Sequence, residues 1–192
     1  MWLIYLSASA TADRFDTIKE QLAQAACTRF EFVSIIESEI FDAADSAAST
    51  AYIARDGRFN VTLGEDRYLF DLRFLYSYSA ENNQVVIEKV SDQAQVSREI
   101  SFITRLDELY ETHTIRPGKS YRLLKKPGEK SDIPDSVTIF IAPDSLQLER
   151  LEYLDINEER NVIVILKQQT GKDCDKKQFE PAFPDSVEKI RL

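Results

Sequence analysis

Histidine is almost missing from this chain: His113 stands alone among 192 residues. No G-x-S-x-G pattern accompanies it, so a Ser-His-acid hydrolase has no visible nucleophile elbow. His113 reads as an exposed residue at the end of a helical stretch, which suits a cationic ring. Basic excess is missing too. Lys and Arg total 24 against 33 Asp and Glu, a net charge of −9, and nucleic-acid recognition needs a basic stripe. No apolar run approaches the ~20 residues of a membrane-spanning helix. Glycine fingerprints are absent: Gly171-Lys172-Asp173 lacks the rest of a phosphate loop. The stretch Asp155-Ile156-Asn157-Glu158-Glu159 offers oxygen ligands without the spacing or glycine of an EF-hand loop, and reads as a polar hairpin turn. Neither a cofactor nor a metal is expected.

What is there is a globular composition, 43% hydrophobic and 10% aromatic, in a length suited to one domain with a sizeable core. Residues 55–90 hold four apolar-rich segments in close succession: Phe59-Asn60-Val61-Thr62-Leu63, Tyr68-Leu69-Phe70-Asp71, Phe74-Leu75-Tyr76-Ser77-Tyr78 and Val85-Val86-Ile87-Glu88. Only short polar breaks separate them, including Gly64-Glu65-Asp66 and Ala80-Glu81-Asn82-Asn83, which leaves no room for crossover helices. An antiparallel meander is the expectation.

Around that stretch, residues 1–12 read as the end of a truncated signal peptide, because Ala8-Ser9-Ala10 fits a small-x-small cleavage site. An ordinary N-terminal segment is the alternative, and residues 13–192 form a single domain on either reading. Residues 13–26 read as a helix with Phe15, Ile18, Leu22 and Ala25 on one face. Residues 28–41 read as one long strand, 42–49 as a loop or turn, 50–55 as a second strand and 91–95 as a polar linker. Residues 99–112 return to helical spacing through Ile100, Ile103, Leu106 and Leu109. Short strands separated by turn chemistry follow, up to Val162–Lys167. About ten strands and two helices result, a mainly β, α+β chain. Several strands are apolar on both faces, so a strongly curved sheet with helices on its concave side is expected. The two cysteines, Cys27 and Cys174, form a disulfide if the chain is exported; two unpaired thiols are the alternative.

The order of elements resembles the outer-membrane lipoprotein carrier (LolA-like) family. The resemblance runs from about Leu22 to Val187. It rests on Arg55-Asp56-Gly57-Arg58-Phe59, on Asp71 with Phe74-Leu75-Tyr76-Ser77-Tyr78, on Asn83-Gln84-Val85, and on the closing segment from Phe179 to Val187. It implies an unclosed antiparallel barrel with helices plugging the mouth. It also implies a periplasmic carrier or chaperone of lipoprotein acyl chains, served by an inner-membrane lipoprotein-release transporter and an outer-membrane acceptor. Arg55 matches the arginine that latches the family's helical lid, although Asp56 stands where the family usually has proline and is a competing partner for the guanidinium.

On this reading the acyl-chain cavity is lined by Phe30, Phe32, Ile36, Phe59 and Val61, together with Phe74, Tyr76 and Tyr78, and the lid helix carries Phe102, Ile103 and Leu106. The plain alternative is that these side chains fill a dry core. A monomer without catalytic residues is expected. The competing function is a regulatory module on the same fold that senses lipid or lipoprotein and signals to a protein partner; a hydrolase is the weakest reading.

Overall fold

The computed structural model describes residues 13–38, 43–91, 102–155 and 157–192. Helix α1 (Arg14–Gln24) begins at Asp13, whose carboxylate accepts the backbone N–H of Phe15 at 3.3 Å, an N-cap that satisfies one of the orphan donors of the first turn. Strands β1 (Cys27–Ser38), β2 (Ala43–Ala54), β3 (Phe59–Leu63), β4 (Asp66–Phe70), β5 (Phe74–Ser79) and β6 (Gln84–Lys89) follow. A single 3-10 turn (Phe102–Thr104) and a one-turn helix α2 (Leu106–Leu109) lead into β7 (Tyr110–Arg116), β8 (Ser120–Lys125), β9 (Ser136–Ile141), β10 (Leu148–Leu154) and β11 (Arg160–Gly171). The chain closes with a second 3-10 turn (Lys176–Phe179) and β12 (Glu188–Arg191).

Among the described residues all twelve strands form one sheet, in the order β12-β6-β5-β4-β3-β2-β1-β11-β10-β9-β8-β7. The expected meander is present from β1 to β6, each strand pairing antiparallel with the next. Its tight corners fall at Gly57 (φ 98°) and Gly64 (φ 60°), conformations that a Cβ disfavours. The outermost strands β12 and β7 pair only on one side, so the curved sheet stays unclosed.

Three expectations are corrected. Residues 43–49, read as a loop, belong to β2. Their small side chains have weak strand preference, but Ala44, Asp45 and Ser46 pair in register with Glu37, Ile36 and Ile35 of β1, and pairing overrides propensity. Residues 102–112, read as one helix, divide into the 3-10 turn, α2 and the start of β7; residues 99–101 of that reading lie outside the described residues. Tyr110 ends the helical period because its buried ring is tied down, its hydroxyl donating to the Pro134 carbonyl at 3.0 Å. His113 therefore sits exposed on edge strand β7, opposite Arg122, and not at a helix end. Finally, β12 adds to β6 in parallel, where only antiparallel pairing was expected.

The main core lies between α1 and one face of the sheet. Phe15, Ile18 and Leu22 enter from the helix and meet Phe30, Phe59 and Phe70 from the meander, and Tyr121, Leu123, Ile139 and Leu151 from the other half. Phe15 stacks on Tyr121 with ring centroids 4.5 Å apart. The Tyr121 hydroxyl donates to Asp13, and burial together with that carboxylate pushes its pKa up to about 12. Arg14 clamps the helix start by donating to the carbonyls of Ala142, Pro143 and Ser145. Across β1, β10 and β11 the opposite face carries ion pairs, among them Arg160 with Glu37 and Glu152 and Arg29 with Glu31.

A candidate binding cleft beside Arg55

Where α1 ends, the chain turns into β1 and passes close to the β2–β3 corner. The Arg55 backbone N–H donates to the Ala26 carbonyl at 3.1 Å, and Ala26 in turn donates to Gly171. A cleft of about 460 Å³ opens there. Its apolar wall includes Leu22 of α1, Ile53 of β2 and Leu72 from the β4–β5 corner; its polar rim includes Arg55, Asp56, Thr104, Arg105 and Glu108. Leu72 takes φ 79°, a left-handed conformation that costs a leucine roughly 1–2 kcal/mol. The Asp71 carboxylate supports this corner by accepting the backbone N–H groups of Arg73 and Phe74 at 2.8 and 2.7 Å.

The charges around the rim are already sorted. Asp56 does not engage Arg55; its carboxylate accepts the Arg58 backbone N–H and ion-pairs with the Arg58 guanidinium at 2.8 Å. Partial burial alone would raise the Asp56 pKa, but the hydrogen bonds and charge of Arg58 more than offset it, and the carboxyl titrates below its usual range. Arg58 in turn lies over the Phe179 ring, 4.8 Å from its centroid. Glu108 pairs with Arg105 in the same way. Arg55 is exposed, and among the described residues its guanidinium has no hydrogen-bond or ion-pair partner.

A second cleft of about 890 Å³ is lined by Phe102, Ile133, Pro134, Tyr153 and Leu154 together with charged residues that include Lys125, Asp135, Glu152 and Arg160, the last two from the ion-paired face of the sheet. The 102–109 segment thus contributes to both clefts. Its inward side chains Ile103, Leu106 and Leu109 are buried in the main core. Lys19 of α1 ties it to the helix, its ammonium bridging Asp107 at 2.6 Å and Asp16 at 3.0 Å. Lys126 adds a hydrogen bond to the Asp107 carbonyl at 2.6 Å.

The residues expected to line one cavity fall into three groups. Phe30, Phe32 and Phe59 are buried in the main core, with Val61 half-buried against it. Phe30 and Phe59 are 2% and 0% exposed, so in this conformation they pack rather than line open space. Ile36 lies beyond the core at 41% exposure. Phe74, Tyr76 and Tyr78 are corrected to the opposite face. The strand alternates, Leu75 packs on the main core, and its neighbours therefore point away. Tyr76 and Tyr78 lie under the C-terminal segment instead, with their rings 6.0 and 5.7 Å from Phe183. Phe102, Ile103 and Leu106, expected in a lid helix, pack with the inner face, Phe102 and Ile103 from the 3-10 turn, and Arg55 faces their segment across the smaller cleft without bonding to it among the described residues. The structure joins Cys27 to Cys174, with Cα atoms 5.1 Å apart.

Sequence reasoning passed over Lys19, Asp107 and Leu72. Lys19 and Asp107 are 88 positions apart, and nothing in either local pattern links them. The Leu72 conformation carries a faint signal, since Asp71 is a residue that commonly organises a turn.

Among the described residues no helix is long and apolar enough to cross a membrane. No family model and no curated protein matches the chain. Solved structures do resemble it. An uncharacterized conserved protein from Thermus thermophilus aligns with TM-score 0.54 and 12% identity over 93% of this chain and 97% of its own, a likeness of fold. A LolA superfamily protein from Nitrosomonas europaea aligns with TM-score 0.45 and 11% identity over 86% of this chain and 97% of its own. A putative outer-membrane lipoprotein-sorting domain from Vibrio parahaemolyticus aligns with TM-score 0.46 and 6% identity over 86% of this chain and 94% of its own.

Proposed function

We propose that this protein is a periplasmic carrier that shelters lipoprotein acyl chains and performs no covalent chemistry of its own. The observation that carries the reading is the 102–109 segment, whose Ile103, Leu106 and Leu109 pack into the aromatic inner face of an unclosed sheet while Thr104, Arg105 and Glu108 line the cleft beside Arg55. On this reading, lifting the segment uncovers the inner face around Phe59, Val61 and their neighbours. The resemblance of the chain's motifs to lipoprotein carriers points the same way.

The energetics suit a plug that moves. Each methylene kept from water is worth ~0.8 kcal/mol, so a free acyl chain does not remain in aqueous space. The competing sites are a membrane or another carrier, and transfer between similar apolar surroundings is nearly balanced. Control then comes from opening and closing. In the closed form the aromatic side chains pack against one another and α1; in the open form the acyl chain takes the place of the plug. On this reading the carrier acts as a monomer, loaded at an inner-membrane release transporter and unloaded at an outer-membrane acceptor.

The test is displacement. A fluorescent fatty acid is expected to bind saturably and to be displaced by a triacylated lipopeptide but not by the same peptide without its chains. No saturable binding, or displacement by the bare peptide, overturns the carrier reading. Recovery from cells with a stable protein partner and no lipidated cargo turns the assignment to the sensing module.

A further inference from the structure

The smaller cleft exists without any movement of the plug, and its charge pattern is uneven. Its rim carries two arginines, Arg55 and Arg105, and two carboxylates, Asp56 and Glu108, and Arg58, outside the lining, pairs with Asp56. Each carboxylate is taken by a neighbouring arginine, so the excess positive charge resides at Arg55. The whole chain carries −9, and its summed field repels anions. At physiological ionic strength that field is screened beyond ~8 Å. An anion at Arg55 must therefore be held by direct contact, and the guanidinium presents donors suited to gripping a carboxylate or phosphate at two points.

A bare anion accounts for only half of the site. Directly inside the rim the wall turns apolar, through Leu22, Ile53 and Leu72, and Leu72 is held there in a left-handed conformation that glycine would occupy without strain. A leucine kept at such a position supplies apolar surface at an energetic cost.

We infer that the smaller cleft binds a single-chain amphiphile with an anionic head, the carboxylate or phosphate paired with Arg55 and the first methylenes against Leu22, Ile53 and Leu72. This goes beyond the carrier reading. It names a ligand for the closed form, whereas lipoprotein chains require the plug to move.

Calorimetric titration below the micellar concentration tests it. Decanoate is expected to bind wild-type protein roughly tenfold more tightly than methyl decanoate, the size of effect a charge-assisted contact supplies. In Arg55→Gln that preference disappears while methyl decanoate binds as before. In Leu72→Gly both ligands weaken together. Decyl phosphate is expected to behave as decanoate does. Acetate and inorganic phosphate report whether the head alone suffices, and they are expected to bind too weakly to detect. Equal affinity for acid and ester in the wild type overturns the inference, as does equal weakening of both ligands in Arg55→Gln, which would make Arg55 a support of the wall. Acetate binding as tightly as decanoate overturns the amphiphile. The lipopeptide displacement described above is read separately, so loss of this site and loss of the carrier function give different results.

Discussion

At the scale of single residues, aromatic side chains of similar size do different work according to the face they occupy. Phe59 is fully buried, with its ring 5.6 Å from that of Phe70, whereas Tyr78 is half-buried beneath Phe183 on the other side of the sheet. Phe59→Ala should lower unfolding free energy by about 3–5 kcal/mol, the range for large-to-small changes in packed cores. Tyr78→Ala should cost less than half as much, because its neighbours already meet solvent. Urea unfolding compares the two directly, and equal losses would contradict the assignment of faces. A charge at Phe59 is accordingly a test of folding and not of ligand binding.

At the scale of elements, the 102–109 segment is tied to α1 through Lys19 and to the end of β8 through Lys126. Helix α1 was legible from its apolar period, and it docks through Phe15, Ile18 and Leu22. The partnership with α2 was not legible, since it rests on Lys19 meeting Asp107 across the fold. Burial by itself would lower the Lys19 pKa, but the hydrogen bonds and charges of Asp107 and Asp16 raise it above its usual value. The sign follows: a raised lysine pKa contributes stability that is present below the unfolded value of 10.5 and is lost as pH climbs through the folded value. Lys19 therefore stays charged and the tie in force at neutral pH, with loss of the lysine charge expected only at strongly alkaline pH. Asp107→Asn weakens the tie without unfolding the domain, because partly exposed pairs are worth about 0–1 kcal/mol. It should speed association of the acyl probe by up to about fivefold with little change in melting temperature. Stopped-flow fluorescence checks this, and an unchanged rate removes Lys19–Asp107 from the opening step.

At the scale of the molecule, the C-terminal segment forms a second, smaller layer on the face away from α1. Phe179 and Val187 are buried there. Asn60 donates to the Gln178 carbonyl at 2.7 Å and Arg67 to that of Ala182 at 2.9 Å. Burial lowers the Arg67 pKa below the ordinary arginine value. The Cys27–Cys174 bond joins the start of β1 to the start of this layer across 147 positions. A loop of that length is worth up to about 5 kcal/mol in the chain-entropy treatment, and measured effects are often smaller. Reduction, or paired Cys27→Ala and Cys174→Ala substitution, should lower the melting temperature by roughly 5–15 °C for a chain of this size. A melting temperature indifferent to reductant would show that the bond carries no stability.

Local patterning determined the meander, the first helix and the mainly β class, because alternation, turn residues and capping act over a few neighbouring positions. Phe59 and Val61 lie on the inner face beside Ile53 and Ala51, their partners in β2. Which side of β5 its aromatics take, why the alanine-rich half of β2 is strand, and how Lys19 reaches Asp107 were decided by tertiary structure. Each depends on contacts between residues distant in sequence, and so does the cleft, where Asp56 and Glu108 have their own arginines and Arg55 is left facing outward.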